Sequence, residues 1–260
     1  MTDIDSTKPN NLCRILLLNP NTSESMTQGL ERVARSSARD GTDILPLTLS
    51  RGFPYISSRA EAQISGALAM EAIAAREQEL EAVIIAAFGD PGLKAARELF
   101  DLPIIGMAEA AMLTAIQLGE RFSIVTFTPA MSRWYLDSVQ DCGLSSRFAS
   151  LRTPESHDGN VMDVQERLRD SLCSLVNQCV QEDGADVVIL GGAPLAGLSA
   201  DLQPDAQALL VDPIWSAVRQ AEALVGALSS AAWENRYRKP LPKTSTGLDE
   251  ALAQRMAKGD

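Results

Sequence analysis

The feature that most constrains this chain is a repeat. V-I-I-A-A from Val83 returns as V-I-L-G-G from Val188, R-I-L-L-L-N-P from Arg14 is echoed by F-S-I-V-T-F-T-P from Phe122, and P-I-I-G from Pro103 by L-L-V-D from Leu209. The pairs share an offset of roughly 106 residues, a common register that marks a duplicated unit. The repeated runs are short and apolar, as strands buried on both faces must be. Strands are expected at Ile15–Leu18, Thr42–Leu49, Ala82–Ala87, Ile104–Gly106, Ser123–Phe127, Val187–Leu190 and Leu209–Val211. Helical patterns separate them at Ser23–Ser36, Ser58–Ala82, Leu93–Phe100, Ala108–Leu118, Met131–Cys142, Val161–Glu182 and Ile214–Ala231. Strand–helix alternation of this kind predicts an α/β fold with parallel sheets.

Duplication then predicts two pseudo-symmetric Rossmann-like lobes, whose parallel sheets face a central cleft lined by loops from the carboxyl ends of the strands. The first lobe is expected over residues 14–118, completed by the helix near 214–231, and the second over 119–213. Residues 1–12 and 232–260 read as terminal extensions, the latter a polar, Pro-interrupted arm with a short helix that suits packing on a neighbouring subunit. The apolar helix from Ala108 and this arm together suggest a homo-oligomer.

Charge and cysteine content narrow the function classes. A net charge of −11 and 5% aromatic residues disfavour a nucleic-acid partner, which needs basic patches and stacking platforms. No apolar run reaches the ~20 residues of a membrane span, and the first residues lack a signal-peptide layout, so a cytoplasmic protein is expected. Cys13, Cys142, Cys173 and Cys179 form no C-x-x-C pair, and His157, the one histidine, lies in a polar loop as a solvated side chain. That leaves no zinc or iron constellation.

The candidate site residues stand at the predicted strand ends. N-P-N-T-S puts Asn19 where its amide can both donate and accept, with Thr22 or Ser23 as helix cap. In S-R-G-F-P-Y-I-S-S-R, Tyr55 and Arg59 either reach a ligand or form a solvated helix start. F-G-D-P-G-L, from Phe88 and Gly89, offers backbone N–H groups at a helix start, and Asp90 is either a cap or a site carboxylate. Glu109 is likewise either a first-turn acid or a site carboxylate. Thr126, Phe127 and Thr128 end the fifth predicted strand, and Gly192, Ala193 and Pro194 follow the sixth, where glycine lets backbone approach a ligand.

Taken together, N-P-N-T-S, G-F-P-Y-I-S-S-R-A-E, F-G-D-P-G-L, G-M-A-E-A-A-M and G-G-A-P-L-A-G-L resemble the aspartate/glutamate racemase superfamily, in particular its hydantoin and allantoin racemase branch. The resemblance spans roughly residues 14 to 225. It implies two facing lobes, no cofactor and no metal, and a small carbonyl, carboxylate or cyclic amide substrate in the cleft. In the family's racemases one cysteine from each lobe flanks the substrate, one removing a proton and the other delivering one to the opposite face. The motifs place those cysteines at Ala87 and Gly192, so two-thiol racemisation is not expected. Three readings follow: an enzyme using Glu109 or Asp90 as acid/base with Tyr55 in reserve, a cofactor-free hydrolase or lyase, or a metabolite binder. The missing side chains are expected to leave room for a bulkier substrate or a water.

Overall fold

The computed structural model describes residues 13–155, 161–227 and 238–258; His157 lies outside them. One sheet holds β1 (Cys13–Asn19), β2 (Thr42–Thr48), β3 (Ala82–Ile85) and β4 (Ile104–Gly106) in the order β2-β1-β3-β4. The other holds β5 (Phe122–Val125), β6 (Phe148–Arg152), β7 (Val187–Leu190) and β8 (Leu209–Val211) in the order β6-β5-β7-β8. Every pairing is parallel. The two orders are the same pattern four strands on, so the repeated sequence runs occupy equivalent strands: β1 with β5, β3 with β7, β4 with β8.

The strand β6 has no counterpart among the strands expected from sequence. Its F-A-S-L-R is half-buried throughout, as befits an edge strand, and so lacks the continuous apolar signature. The helix expected over Ser58–Ala82 is shorter. Its helix α2 (Arg59–Ala74, following α1 at Glu24–Ser37) gives way to a 3-10 turn at Glu77–Glu79, which reverses the chain into β3.

Alternation along the strands divides the core. Leu16, Leu18, Val83 and Ile85 pack outward with α2, α3 (Leu93–Leu99) and Leu252 of the terminal helix α9 (Glu250–Lys258). On the second sheet Val125, Val188 and Leu190 pack outward with α6 (Val164–Gln181) and α7 (Leu198–Leu202). The inward faces, Ile15, Leu17 and Ile84 from one sheet and Phe122, Ile124, Val187 and Ile189 from the other, share a single central core. Burial of this kind stabilises by roughly 25 cal/mol per Å² of apolar surface.

Two helices fill the space between the sheets, and they cross over. The helix α4 (Met107–Leu118) leaves the first sheet and packs on β5, β7 and β8. In return α8 (Pro213–Ala227) leaves the second sheet and packs on β1, β3 and β4. They also pack on each other, with Gln220 Nε2 donating to the Ala110 carbonyl at 2.8 Å. A cut after residue 118 therefore keeps α4 with β4 but separates it from the second sheet, which it covers.

The terminal arm packs on its own chain. Arg255 donates to the Leu99 carbonyl at 2.7 Å and pairs with Asp101, and Lys239 pairs with the same carboxylate. No helix among the described residues is long and apolar enough to cross a membrane.

Candidate active site

The carboxyl ends of both sheets meet across the central core. At the end of β1, Asn19 is fully buried, and its Nδ2 faces three acceptors: Asn21 Oδ1 at 2.8 Å, Thr27 Oγ1 at 2.9 Å and the Ser23 carbonyl at 3.2 Å. The Asn21 N–H donates back to its oxygen at 3.3 Å. Asn19 thus shapes the loop instead of offering a free amide to a ligand, and Ser23 caps α1 by accepting from the Met26 N–H.

In the next loop Ser58 caps α2. Arg59 lies exposed, its Nη2 donating to Asp137 at 2.8 Å on α5 (Ser132–Asp141). It straps the lobes together at the surface and does not enter the site. Such exposed pairs, screened by solvent, contribute little to stability. Tyr55 does turn inward: its ring lies 6.0 Å from that of Phe127, and its hydroxyl is buried with no hydrogen-bond partner.

At the end of β3 the chain folds into a turn, the Asp90 N–H donating to the Ala87 carbonyl at 3.0 Å. Asp90 adopts φ 49°, a left-handed conformation that is rare outside glycine. The turn aims its half-buried carboxylate at the start of α4, where the Ala108 and Glu109 N–H groups each donate at 2.8 Å. Burial pushes this carboxyl up to about 7, against the opposing pull of those two N–H groups. Two of its lone-pair directions remain for other partners. Glu109 is placed differently: Arg97 grips both its oxygens, Nη1 at 3.0 Å, while Arg97 Nε holds the Ile104 carbonyl at 2.9 Å. It is a first-turn acid in an ion pair, which argues against the free base considered from sequence.

From the second lobe come Thr126, Phe127 and Thr128. Thr128 accepts from the Ala130 N–H at 3.4 Å as a helix-type cap. Thr126 is fully buried and its hydroxyl has no partner in hydrogen-bonding geometry. Each such orphan hydroxyl costs about 1–3 kcal/mol until something satisfies it. After β7, Gly192 takes φ 132°, and Ala193, Pro194 and Leu195 make a 3-10 turn held by Gln165 Nε2, which donates to the Pro194 carbonyl at 2.8 Å. Ala193 and Pro194 also line a cavity of about 440 Å³ between α1 and the start of α6, beside the strand ends.

Two residues that the sequence reading passed over pack against these strand ends. Trp134 covers Gly89 so closely that any side chain there would run into the indole. Tyr135, 2% exposed, packs edge-on against Phe88 with ring centroids 4.7 Å apart. In R-W-Y-L-D they read as ordinary core positions of an amphipathic helix; an aromatic pair in the first turn after a strand end was the signal available.

Residues 15–221 match the family described as Asp/Glu/Hydantoin racemase. The chain belongs to this family. The hydantoin racemase of Paenarthrobacter aurescens is 32% identical over 232 residues, covering 88% of this chain and 98% of that protein. The allantoin racemase of Klebsiella pneumoniae superposes with a TM-score of 0.83 at 32% identity, over 92% of this chain and 98% of its own. That of Pseudomonas fluorescens gives 0.82 at 31%, over 90% and 100%.

Against the two-thiol pattern that the resemblance implies, the ends of β3 and β7 here carry Ala87 and Gly192. Cys13 opens β1 at the opposite end of the sheet, Cys173 and Cys179 lie in α6, and Cys142 ends α5. Burial pushes the Cys142 thiol up to about 12, far from a working thiolate. The expected extra room is absent at Gly192, where an added Cβ would stand 3.0 Å from Phe127 Cε1 and 3.6 Å from the Tyr135 hydroxyl oxygen. Aromatic side chains take up that space.

Proposed function

We propose that this protein transfers protons at the acidic carbon beside a carbonyl of a small cyclic amide, of the hydantoin or allantoin kind, without thiols. Asp90 is the base, and Tyr55 and Thr126 contact the substrate, with Phe88, Gly89, Phe127, Gly192, Ala193 and Pro194 as its walls. The observation that carries this is the position of Asp90 in the turn that begins at Ala87, where the family's racemases set their first thiol. A carboxyl held at about 7 suits proton abstraction at neutral pH. The full-length likeness to hydantoin and allantoin racemases favours proton transfer over ring opening or fragment loss.

A single base tends to return its proton to the face it came from, so exchange should outrun inversion. Proton NMR in D₂O with single-enantiomer 5-substituted hydantoins and allantoin tests this. Deuterium should enter at the ring carbon, with a rate that rises with pH through about 7 and falls about 100-fold or more in Asp90→Asn. Ring opening without exchange would overturn the reading, as would an unchanged rate in that variant.

A further inference from the structure

The cleft holds three hydroxyl groups and no lysine or arginine among the residues assigned to its wall. Tyr55 reaches it from the first lobe, Thr126 and Tyr135 from the second. The Tyr135 oxygen lies 3.6 Å from where a side chain at Gly192 would begin, so it stands at the place left by the family's second thiol. Its ring is fixed on two sides, by Phe88 edge-on and by Trp134 with centroids 6.0 Å apart. Phe88 in turn reaches across to Gly191, where an added Cβ would meet its Cε1 at 3.1 Å. Tyr135 is therefore wedged between the ends of β3 and β7. Beside it, the buried Tyr55 hydroxyl has no hydrogen-bond partner among the described residues, which leaves its donor for something that enters the site, and the Thr126 hydroxyl lies near enough to act on the Tyr135 phenol.

We infer that the Tyr135 phenol, flanked by the Tyr55 and Thr126 hydroxyls, is a hydrogen-bond donor site for the substrate carbonyl oxygen as it gains charge. The inference rests on the proton-transfer reading above. In the step it serves, the base takes the proton from carbon, the C–H electron pair becomes the new C=C bond, and the carbonyl oxygen takes the negative charge. The phenol keeps its own proton and shares it with that oxygen. Burial together with the neighbouring Tyr55 and Asp90 pushes the Tyr135 phenol well up, with the Thr126 hydroxyl opposing, and burial pushes Tyr55 up as well. Both phenols are then neutral donors and poor bases. Losing such a donor characteristically slows turnover about 100- to 1,000-fold.

Barbiturate provides a probe independent of turnover, being a planar cyclic ureide whose oxygens carry an enolate charge at neutral pH. Calorimetry should find it binding the wild-type protein and binding about tenfold more weakly in Tyr135→Phe, with neutral hydantoin affected less. Deuterium exchange on hydantoin should fall in the same variant through kcat, with KM and the melting temperature nearly unchanged. If Tyr135→Phe does not fold, Tyr55→Phe replaces it with the same expectation in smaller measure. Equal barbiturate affinity in wild type and variants, or no binding to the wild type, overturns the inference. Barbiturate discrimination without exchange on any hydantoin would leave the donor site standing and overturn the proposed reaction instead.

Discussion

The two lobes share a topology and differ in what they do with the same places. After β3, the first lobe carries a residue with a side chain, Ala87, and a turn whose Asp90 reaches away to cap α4. After β7, the second lobe carries a bare backbone at Gly192, and its helix cap comes from another strand: Asp212, at the end of β8, accepts from Ile214 at 2.8 Å, Trp215 at 3.0 Å and Gly197 at 2.6 Å. Asp212 is thus encased by three N–H groups and tied to the loop behind Gly192, while Asp90 keeps unused lone pairs in a strained turn. One acid holds a fold together; the other is the base of the proposed reaction. Duplication supplied equal scaffolds, and the asymmetry arose at the strand ends.

Placing a thiol at each strand end in turn would test this asymmetry most severely. Gly192→Cys must place a side chain at φ 132° against Phe127, combining backbone strain of about 1–3 kcal/mol with overpacking of similar size. A loss of several kcal/mol in denaturant unfolding is expected, and a loss below 1 would show that the second lobe yields as easily as the first.

Exchanging each acid for its amide should separate their tasks. Asp212→Asn sets an NH₂ group against a backbone N–H and should cost about 1–3 kcal/mol at neutral pH. Asp90→Asn likewise sets an NH₂ group against the Ala108 or Glu109 N–H, at a similar cost, and should in addition change the pH profile. Because the folded-state pKa of Asp90 is raised to about 7, above an unfolded value of about 3.9, its stabilising share is complete below pH 4 and is lost as pH rises through 7. Asp90 should take up to about 1.4 kcal/mol per pH unit from the wild-type protein across that window, and the amide variant should flatten the slope, with Asp212, also raised by burial, keeping its own share. An unchanged slope would free Asp90 of responsibility for it.

The smallest effect belongs to Ala87→Cys. Its backbone already carries a Cβ, 7% exposed, so a single sulfur should change stability by about 0.5 kcal/mol or less. A large loss there would erase the distinction between the lobes.

Sequence carried the architecture because burial of parallel strands leaves a local trace: V-I-I-A-A and V-I-L-G-G are legible without neighbours. Where burial is partial, as in F-A-S-L-R of β6, the trace fades. The site was legible as a set of loops and less so as roles. Arg59 and Glu109 have partners 78 and 12 residues away, and pairings across the fold leave no mark on either partner's surroundings in the chain. Tyr135 went unread for a related reason. Its ring belongs to the core pattern of α5, and only packing shows that its oxygen arrives beside Gly192.

The crossing of α4 and α8 has a consequence for the order of synthesis. As the ribosome releases the first lobe, β1, β3 and β4 can pair, but the helix that covers their inner face is encoded at residues 213–227, almost the whole chain later. The first sheet must wait with an apolar face uncovered until the second half has emerged. The two lobes, though built from one repeated plan, mature as one cooperative unit whose completion is timed by its far end.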